Sequence, residues 1–156
     1  MKIFLLLALT ALASNEVSFT VSLVPAGSFV ARTSSLSAKL KGEPGKDWAA
    51  EEIVLPLTSL KTGIDLRDAH LAQKYFEVEK YPSAKLTKAL GKNGALSGEL
   101  NVHGVTKPVT GTYEWKGKQI VARFNCRPSD FGIPAIKYMG VGVEDEVEVK
   151  ATVEFP

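Results

Sequence analysis

Glu146-Val147-Glu148-Val149-Lys150-Ala151-Thr152-Val153-Glu154-Phe155 alternates apolar with polar or charged side chains without a break. Successive side chains of an extended strand point to opposite faces, so this period of two predicts a strand. Val147, Val149, Ala151, Val153 and Phe155 form a face that must be covered, while Glu146, Glu148, Lys150, Thr152 and Glu154 form one that prefers water. A strand wet on one side belongs to an antiparallel sheet, because parallel strands are usually buried on both faces.

The same period recurs along most of the chain. Ile120, Ala122, Phe124 and Cys126 alternate with Arg123, Asn125 and Arg127. Val109, Gly111, Tyr113 and Trp115 precede them across a tight Lys116-Gly117-Lys118 turn. Leu96, Gly98, Leu100 and Val102 form one face, with Glu99, Asn101 and His103 opposite, and Ala84, Leu86 and Leu90 share a phase. Ile53, Leu55 and Leu57 share another, with Pro56 off that face. Residues 28–41 read as one or two strands, and Val17, Phe19, Val21 and Leu23 as the first.

Residues 64–77 change period. At about 100° per residue, Ile64, Ala69, Leu71, Ala72, Tyr75 and Phe76 fall in one arc and Arg67, His70, Gln73, Lys74 and Glu77 in the other. This predicts one amphipathic helix, with Asp65 and Asp68 near its start, where carboxylates cap free N–H groups. No helices link successive strands, so the predicted fold class is mainly β: an antiparallel, lipocalin-like barrel of about eight strands with one helical insertion, a size that just encloses one small ligand.

Composition bounds the rest. The chain has 156 residues, of which 45% are apolar, enough for one domain with a substantial core. Charged residues make up 23%, and the net charge of +2 offers no concentrated basic face, so nucleic acid is not an expected partner. Met1-Lys2, the apolar run Ile3–Leu9 and Ala11-Leu12-Ala13 predict an export signal over residues 1–13, cleaved after Ala13, leaving 14–156 as a single domain. The run is too short for a spanning helix, so stable membrane insertion is not expected. The sole cysteine, Cys126, shares the phase of Ile120 and Phe124 and should be a buried, inert thiol.

Catalytic chemistry finds little support. There is no Gly-x-Ser-x-Gly elbow, no paired-cysteine motif and no second histidine close to His70, so no enzyme, metal or cofactor is expected. His103-Gly104-Val105-Thr106-Lys107-Pro108 reads first as a turn between strands, with Gly104 free to take positive φ; alternatively, His103 and Lys107 rim a polar headgroup. The inward phase mixes large residues with Gly98, Gly111, Ala122 and Ala151, which either leave room for an elongated apolar ligand or let the large ones pack densely.

Four stretches carry a resemblance: Arg67-Asp68-Ala69-His70-Leu71, Tyr81-Pro82, Gly104-Val105-Thr106-Lys107-Pro108-Val109 and Asp130-Phe131-Gly132-Ile133. In this order and spacing they resemble the YceI-like family. The resemblance implies a periplasmic, lipocalin-like barrel whose tunnel holds a long isoprenoid chain, a quinone or a polyprenyl carrier. On that reading the ligand-binding residues are Phe19, Leu66, Leu71, Phe76, Leu100, Tyr113, Trp115, Phe124, Phe131, Ile133 and Met139. Ile136, Tyr138 and Val141 are available beside them in the loop 131–143 that covers the mouth. Arg67, His70 and Lys107 are the headgroup candidates. Burial of apolar area would supply the affinity, at roughly 25 cal/mol per Å² before binding costs. The family also leaves room for a homodimer of facing barrels. The alternative is a periplasmic stress-response or protein-interaction module with a filled barrel, acting through an exposed Trp48 and the loop 42–45.

Overall fold

The computed structural model describes residues 15–134, 137–138 and 140–155, and the side chain of Tyr138 is not described. The proposed signal segment, Ile136 and Met139 lie outside the described residues.

The strands are β1 (Glu16–Val24), β2 (Ser28–Thr33), β3 (Ser37–Gly42), β4 (Trp48–Pro56), β5 (Ser83–Lys92), β6 (Ala95–Val102), β7 (Val105–Lys116), β8 (Gln119–Cys126), β9 (Lys137–Tyr138) and β10 (Val141–Glu154). They form one sheet in the order β2-β1-β10-β8-β7-β6-β5-β4-β3, with β9 attached to β10. Every pairing is antiparallel. The predicted mainly-β class and antiparallel, lipocalin-like barrel architecture with one helical insertion therefore hold, with ten strands in the described residues where the alternation predicts about eight. The stretch 28–41 resolves into two strands, and these two are the ends of the sheet order. β2 and β3 follow each other in sequence but do not pair, so the sheet is a curled half-barrel with a seam between them. Arg32 of β2 instead exchanges two backbone hydrogen bonds with Lys61, at 2.8 and 2.9 Å, which covers part of that free edge.

The alternation read in the last strand is what the structure buries. Val147, Val149, Val153 and Phe155 are in the core, and Glu146, Glu148, Lys150 and Glu154 are exposed. β10 lies between β1 and β8, with Phe19 opposite Val149 and Phe124 opposite Val149 on the other side. Two-residue turns set several hairpin registers. Asn93-Gly94 and His103-Gly104 both have positive φ at both positions, the geometry that matches strand twist.

Leu90 departs from the phase that it shares in sequence with Ala84 and Leu86: it is 45% exposed. Lys88 takes φ +52 and the β5–β6 register slips between Thr87 and Leu90, so a bulge turns Ala89 inward in its place.

The helix is also split. α1 (Asp65–His70) buries no residue and continues as a π-helical turn, Leu71–Tyr75, closed by Phe76 N–H donating to the Leu71 carbonyl at 2.8 Å. The second part supplies the buried residues, Leu71 and Tyr75. Ile64 and Leu66 are exposed, contrary to the single amphipathic arc for Ile64. Asp65 and Asp68 make no N-cap hydrogen bond. Asp68 Oδ1 instead accepts from the Thr62 N–H at 2.8 Å and the Thr62 hydroxyl at 2.6 Å, holding the turn before the helix.

Candidate functional site

The curl of the sheet points one face of every long strand inward, and those faces do not meet completely. They enclose an apolar cavity of about 150 Å³. Val17, Phe19 and Val21 of β1, Leu96 and Leu100 of β6, Ile120, Ala122 and Phe124 of β8, and Val147 and Val149 of β10 contribute walls. Lys85 is the one charged residue in the described lining. Engineered apolar cavities of this size and character stay dry and admit benzene.

One end is closed by aromatic rings. Trp48 and Tyr113 meet edge-to-face at 5.6 Å, and Trp115 packs on Phe155 at 5.6 Å while its indole N–H donates to the Lys46 carbonyl at 3.0 Å. Trp48 is only 4% exposed, so it is not the surface contact that the interaction-module reading required. Its ring lies over Gly91 so closely that a Cβ there would stand 2.1 Å from Nε1. The other end is covered by Leu71 of the π-turn, by Phe76 just after it, by Phe131 at the end of a short 3₁₀ turn, Pro128–Phe131, and by Ile133 beyond it. That turn is fastened to β10 by Ser129, whose N–H and hydroxyl both donate to Asp145.

Of the residues expected to bind ligand, Phe19, Leu71, Phe76, Leu100, Phe124, Phe131 and Ile133 line the cavity together. Tyr113 and Trp115 stand behind it, in the aromatic end. Leu66 is 59% exposed and faces away from the interior. Trp48, Phe29, Leu57 and Leu60 also line the cavity, although none of them is among the expected ligand-binding residues. Their alternation was visible for Leu57, but the helical turn after β4 that folds Leu60 inward was not. The question left open for the small residues divides. Ala122 and Ala151 do line the cavity. Gly111 and Gly98 serve close packing instead: a Cβ on Gly111 would stand 2.1 Å from the Arg123 carbonyl oxygen, and one on Gly98 would stand 2.9 Å from Leu86.

The headgroup candidates are not brought together. Arg67 donates from Nε to the Thr62 hydroxyl and from Nη2 to the Thr62 carbonyl, both at 2.9 Å, and its guanidinium lies 4.3 Å from the centre of the Phe29 ring. His70 is exposed on α1 and Lys107 is exposed on β7. Arg67 and Asp68 together grip Thr62, which gives the Arg-Asp pair a structural role at the entry to the helix.

A second recess, of about 300 Å³, opens between α1 with its π-turn and the segment Leu57–Lys61. Thr58, Lys61, Asp65 and Asp68 supply its polar lining. Leu57, Leu60, Leu71 and Phe76 line both this groove and the apolar cavity.

His103 occupies the β6–β7 turn with φ +56, as the turn reading required. It is not solvated, however. Its Nε2 meets a carboxylate oxygen of Glu77 at 2.5 Å and its Nδ1 donates to the Phe131 carbonyl at 3.2 Å, with the Tyr81 ring 4.6 Å away. That hydrogen bond from His103, with help from Lys80, holds the Glu77 carboxyl below its usual 4.5. One imidazole thus ties the end of the helical insertion, a hairpin and the Phe131 turn at the same mouth. The Tyr75 hydroxyl adds another tie, donating to the Lys137 carbonyl at 3.0 Å and accepting from its N–H at 3.2 Å.

Burial, reinforced by the charges of Asp130 and Asp145, pushes the Cys126 thiol up to about 11, so it is protonated at neutral pH. Among the described residues no group of three or more His, Cys, Asp or Glu side chains could hold a metal ion.

Fold and cavity together define a curled antiparallel β-protein with an enclosed apolar interior and a helical cover. The model of the YceI-like domain matches residues 10–155, and the chain belongs to that family. A UPF0312 protein of Photorhabdus laumondii is 41% identical over 71 residues, covering 42% of this chain and 37% of the relative. One from Pseudomonas putida is 40% identical over 85 residues, covering 43% of each. The aligned stretches thus span less than half the length of these curated relatives. Among solved structures, Burkholderia cenocepacia BcnA superposes with a TM-score of 0.69 at 21% identity, covering 88% of this chain and 94% of that one. A polyisoprenoid-binding domain from Saccharophagus degradans, described as implicated in plant cell wall breakdown, gives 0.64 at 18% identity, covering 91% and 94%. At these identities the structural likeness speaks to the fold.

Proposed function

We propose that this protein binds an isoprenoid-type lipid, a quinone or a polyprenyl compound, in its barrel interior and catalyses no reaction on it. The observation that carries this reading is the enclosed cavity, walled by apolar side chains from both halves of the sheet. A polar or charged ligand would lose its hydration there without compensation, whereas an apolar chain gains by leaving water. The polyisoprenoid-binding description of the Saccharophagus degradans neighbour supports the same class of ligand. As formed, the cavity holds a fragment of about benzene size, so a long chain enters only as lining side chains and the unpaired β2–β3 seam yield.

The competing reading, a filled barrel acting through its surface, is disfavoured by that cavity and by the burial of Trp48. Export to the periplasm is part of the proposal and rests on the leader-like sequence of residues 1–13. N-terminal sequencing of protein recovered from a periplasmic extract tests it: a mature chain starting after Ala13 is expected, and an intact Met1 in a cytoplasmic fraction would reject it.

Native mass spectrometry of gently purified protein, with solvent extraction of the same sample, tests the binding. A discrete mass increment that extracts as an isoprenoid is expected. An apo mass that persists when quinones and polyprenols are added would overturn the reading. Phe124→Asp, which places a carboxylate on the cavity wall, should abolish uptake in any fraction that remains folded.

A further inference from the structure

His103 joins two parts of the cover over the cavity, and the chemistry of its ring sets a condition on that joint. Nε2 lies 2.5 Å from a carboxylate oxygen of Glu77, and Nδ1 lies 3.2 Å from the Phe131 carbonyl oxygen. A carbonyl oxygen and an ionised carboxylate can only accept. A neutral imidazole carries a single N–H, so once Nδ1 donates to Phe131, Nε2 turns a lone pair toward Glu77. Both contacts therefore exist together only with one more proton between Nε2 and the carboxylate. The bond has the short length of a charge-assisted one. Glu77 is the stronger acid of the two, its carboxyl held below the usual 4.5 by this same bond, so the proton resides on Nε2.

The anchors of that proton belong to the cavity cover. Phe131 lines the interior, and Glu77 directly follows Phe76, which lines it too. Glu77 takes φ +50 and His103 φ +56, a left-handed conformation that the surrounding contacts must hold. Lys80 reaches the other oxygen of Glu77 at 3.5 Å, and the Tyr81 ring stands 4.6 Å from the imidazole. Glu79, Asp130 and Lys107, on the elements packed there, are exposed and make no hydrogen bond to His103. We propose that the shared proton is the catch of the cavity cover: with it in place Phe76 and Phe131 stay closed over the interior, and its loss to solvent at higher pH sets lone pair against carboxylate, loosens the cover and speeds lipid exchange. A proton bound by the closed form favours closure at lower pH, and that contribution is lost as the imidazole deprotonates. The consequence for lipid rests on the binding reading; the presence of the proton does not.

Nitrogen NMR of the imidazole tests the proton. At neutral pH both ring nitrogens of His103 should carry hydrogen, and Nε2 should lose it as the pH is raised; a single protonated nitrogen throughout overturns the proposal. Stopped-flow quenching of Trp48, which lines the cavity, reads the cover, with ubiquinone-1 as the probe. Uptake should quicken about tenfold as His103 loses its proton. Glu77→Gln separates this from the simple loss of an ion pair. A carboxamide donates as well as accepts, so it can bond to Nε2 of the neutral ring while Nδ1 keeps Phe131. That variant should stay slow across the range, whereas Glu77→Ala should be fast throughout. An uptake rate that ignores the titration, or a Glu77→Gln that still quickens with pH, overturns the proposal. Failure of the wild type to take up quinone at any pH instead overturns the lipid-binding reading, while the nitrogen titration, which uses no lipid, still decides the proton.

Discussion

Glu77 and His103 sit far apart in sequence, yet their contact joins the helical insertion to the β6–β7 turn. The carboxyl of Glu77 is held below its usual 4.5, chiefly by that hydrogen bond. A group whose pKa is lowered by folding contributes stability above its unfolded value, and loses it as pH falls through the lower folded value. Thermal melts of wild type and Glu77→Gln should therefore differ at neutral pH and converge as the pH falls below 4.5. A difference that persists unchanged into strong acid would show that the carboxylate is not the group responsible. Gly111 gives a second, larger expectation. A Cβ there would stand 2.1 Å from the backbone oxygen of Arg123, which belongs to the neighbouring strand and has little freedom to move. Gly111→Ala should cost about 1–3 kcal/mol or more, as overpacking does, and urea unfolding would measure it. Neither residue announces its role in the sequence. Turn chemistry marked Gly104, but nothing local indicated that His103 would meet Glu77 and Phe131, because that pairing depends on how the insertion lies across the barrel.

At the scale of elements, the strands were legible and their interruptions were not. The alternation in β10 and the glycine-bearing turns fixed which face of most strands is buried. Leu90 escaped because the bulge rests on Lys88 at φ +52, a conformation for which lysine carries no signal. The helical insertion was placed correctly but read as one helix. Its π-turn lets Leu71 and Tyr75 both face inward, while Ile64 and Leu66 remain outside. Tyr75 is the peg of that turn. Tyr75→Phe removes one donor and one acceptor for Lys137 and should cost about 1–3 kcal/mol, since the lost partners are part-buried. Hydrogen exchange would report it locally, as faster exchange of the Lys137 amide with little change in β6 and β7. Uniform acceleration across the sheet would instead make Tyr75 a determinant of global stability.

For the whole molecule the central quantity is the cavity, and sequence had no means of measuring it. The period of two identified its walls, including Phe19, Leu100 and Phe124. Whether Ala122 and Ala151 left space or filled it depended on the curvature of the sheet. Ala151→Leu adds bulk where the wall has room and should fill part of the cavity. The expected result is a folded protein that carries no lipid increment in native mass spectrometry. Undiminished uptake by that variant would place the ligand elsewhere. The headgroup candidates failed for a related reason: Arg67 is a good anchor in any sequence reading, but three-dimensional packing had already committed it to Thr62 and Phe29.

The pairing of β1 with β10 joins residues such as Glu16 and Thr152 near opposite ends of the described chain. Local hairpins can form as each strand is made, but β1 has only β2 beside it until the last strand exists. Closing so long a loop costs entropy before any contact repays it, and folds dominated by such contacts form slowly. A nascent chain therefore carries an incomplete sheet, with an open edge, until β10 has been made. Removal of β10 should therefore leave an aggregation-prone sheet with an open edge rather than a slightly smaller barrel.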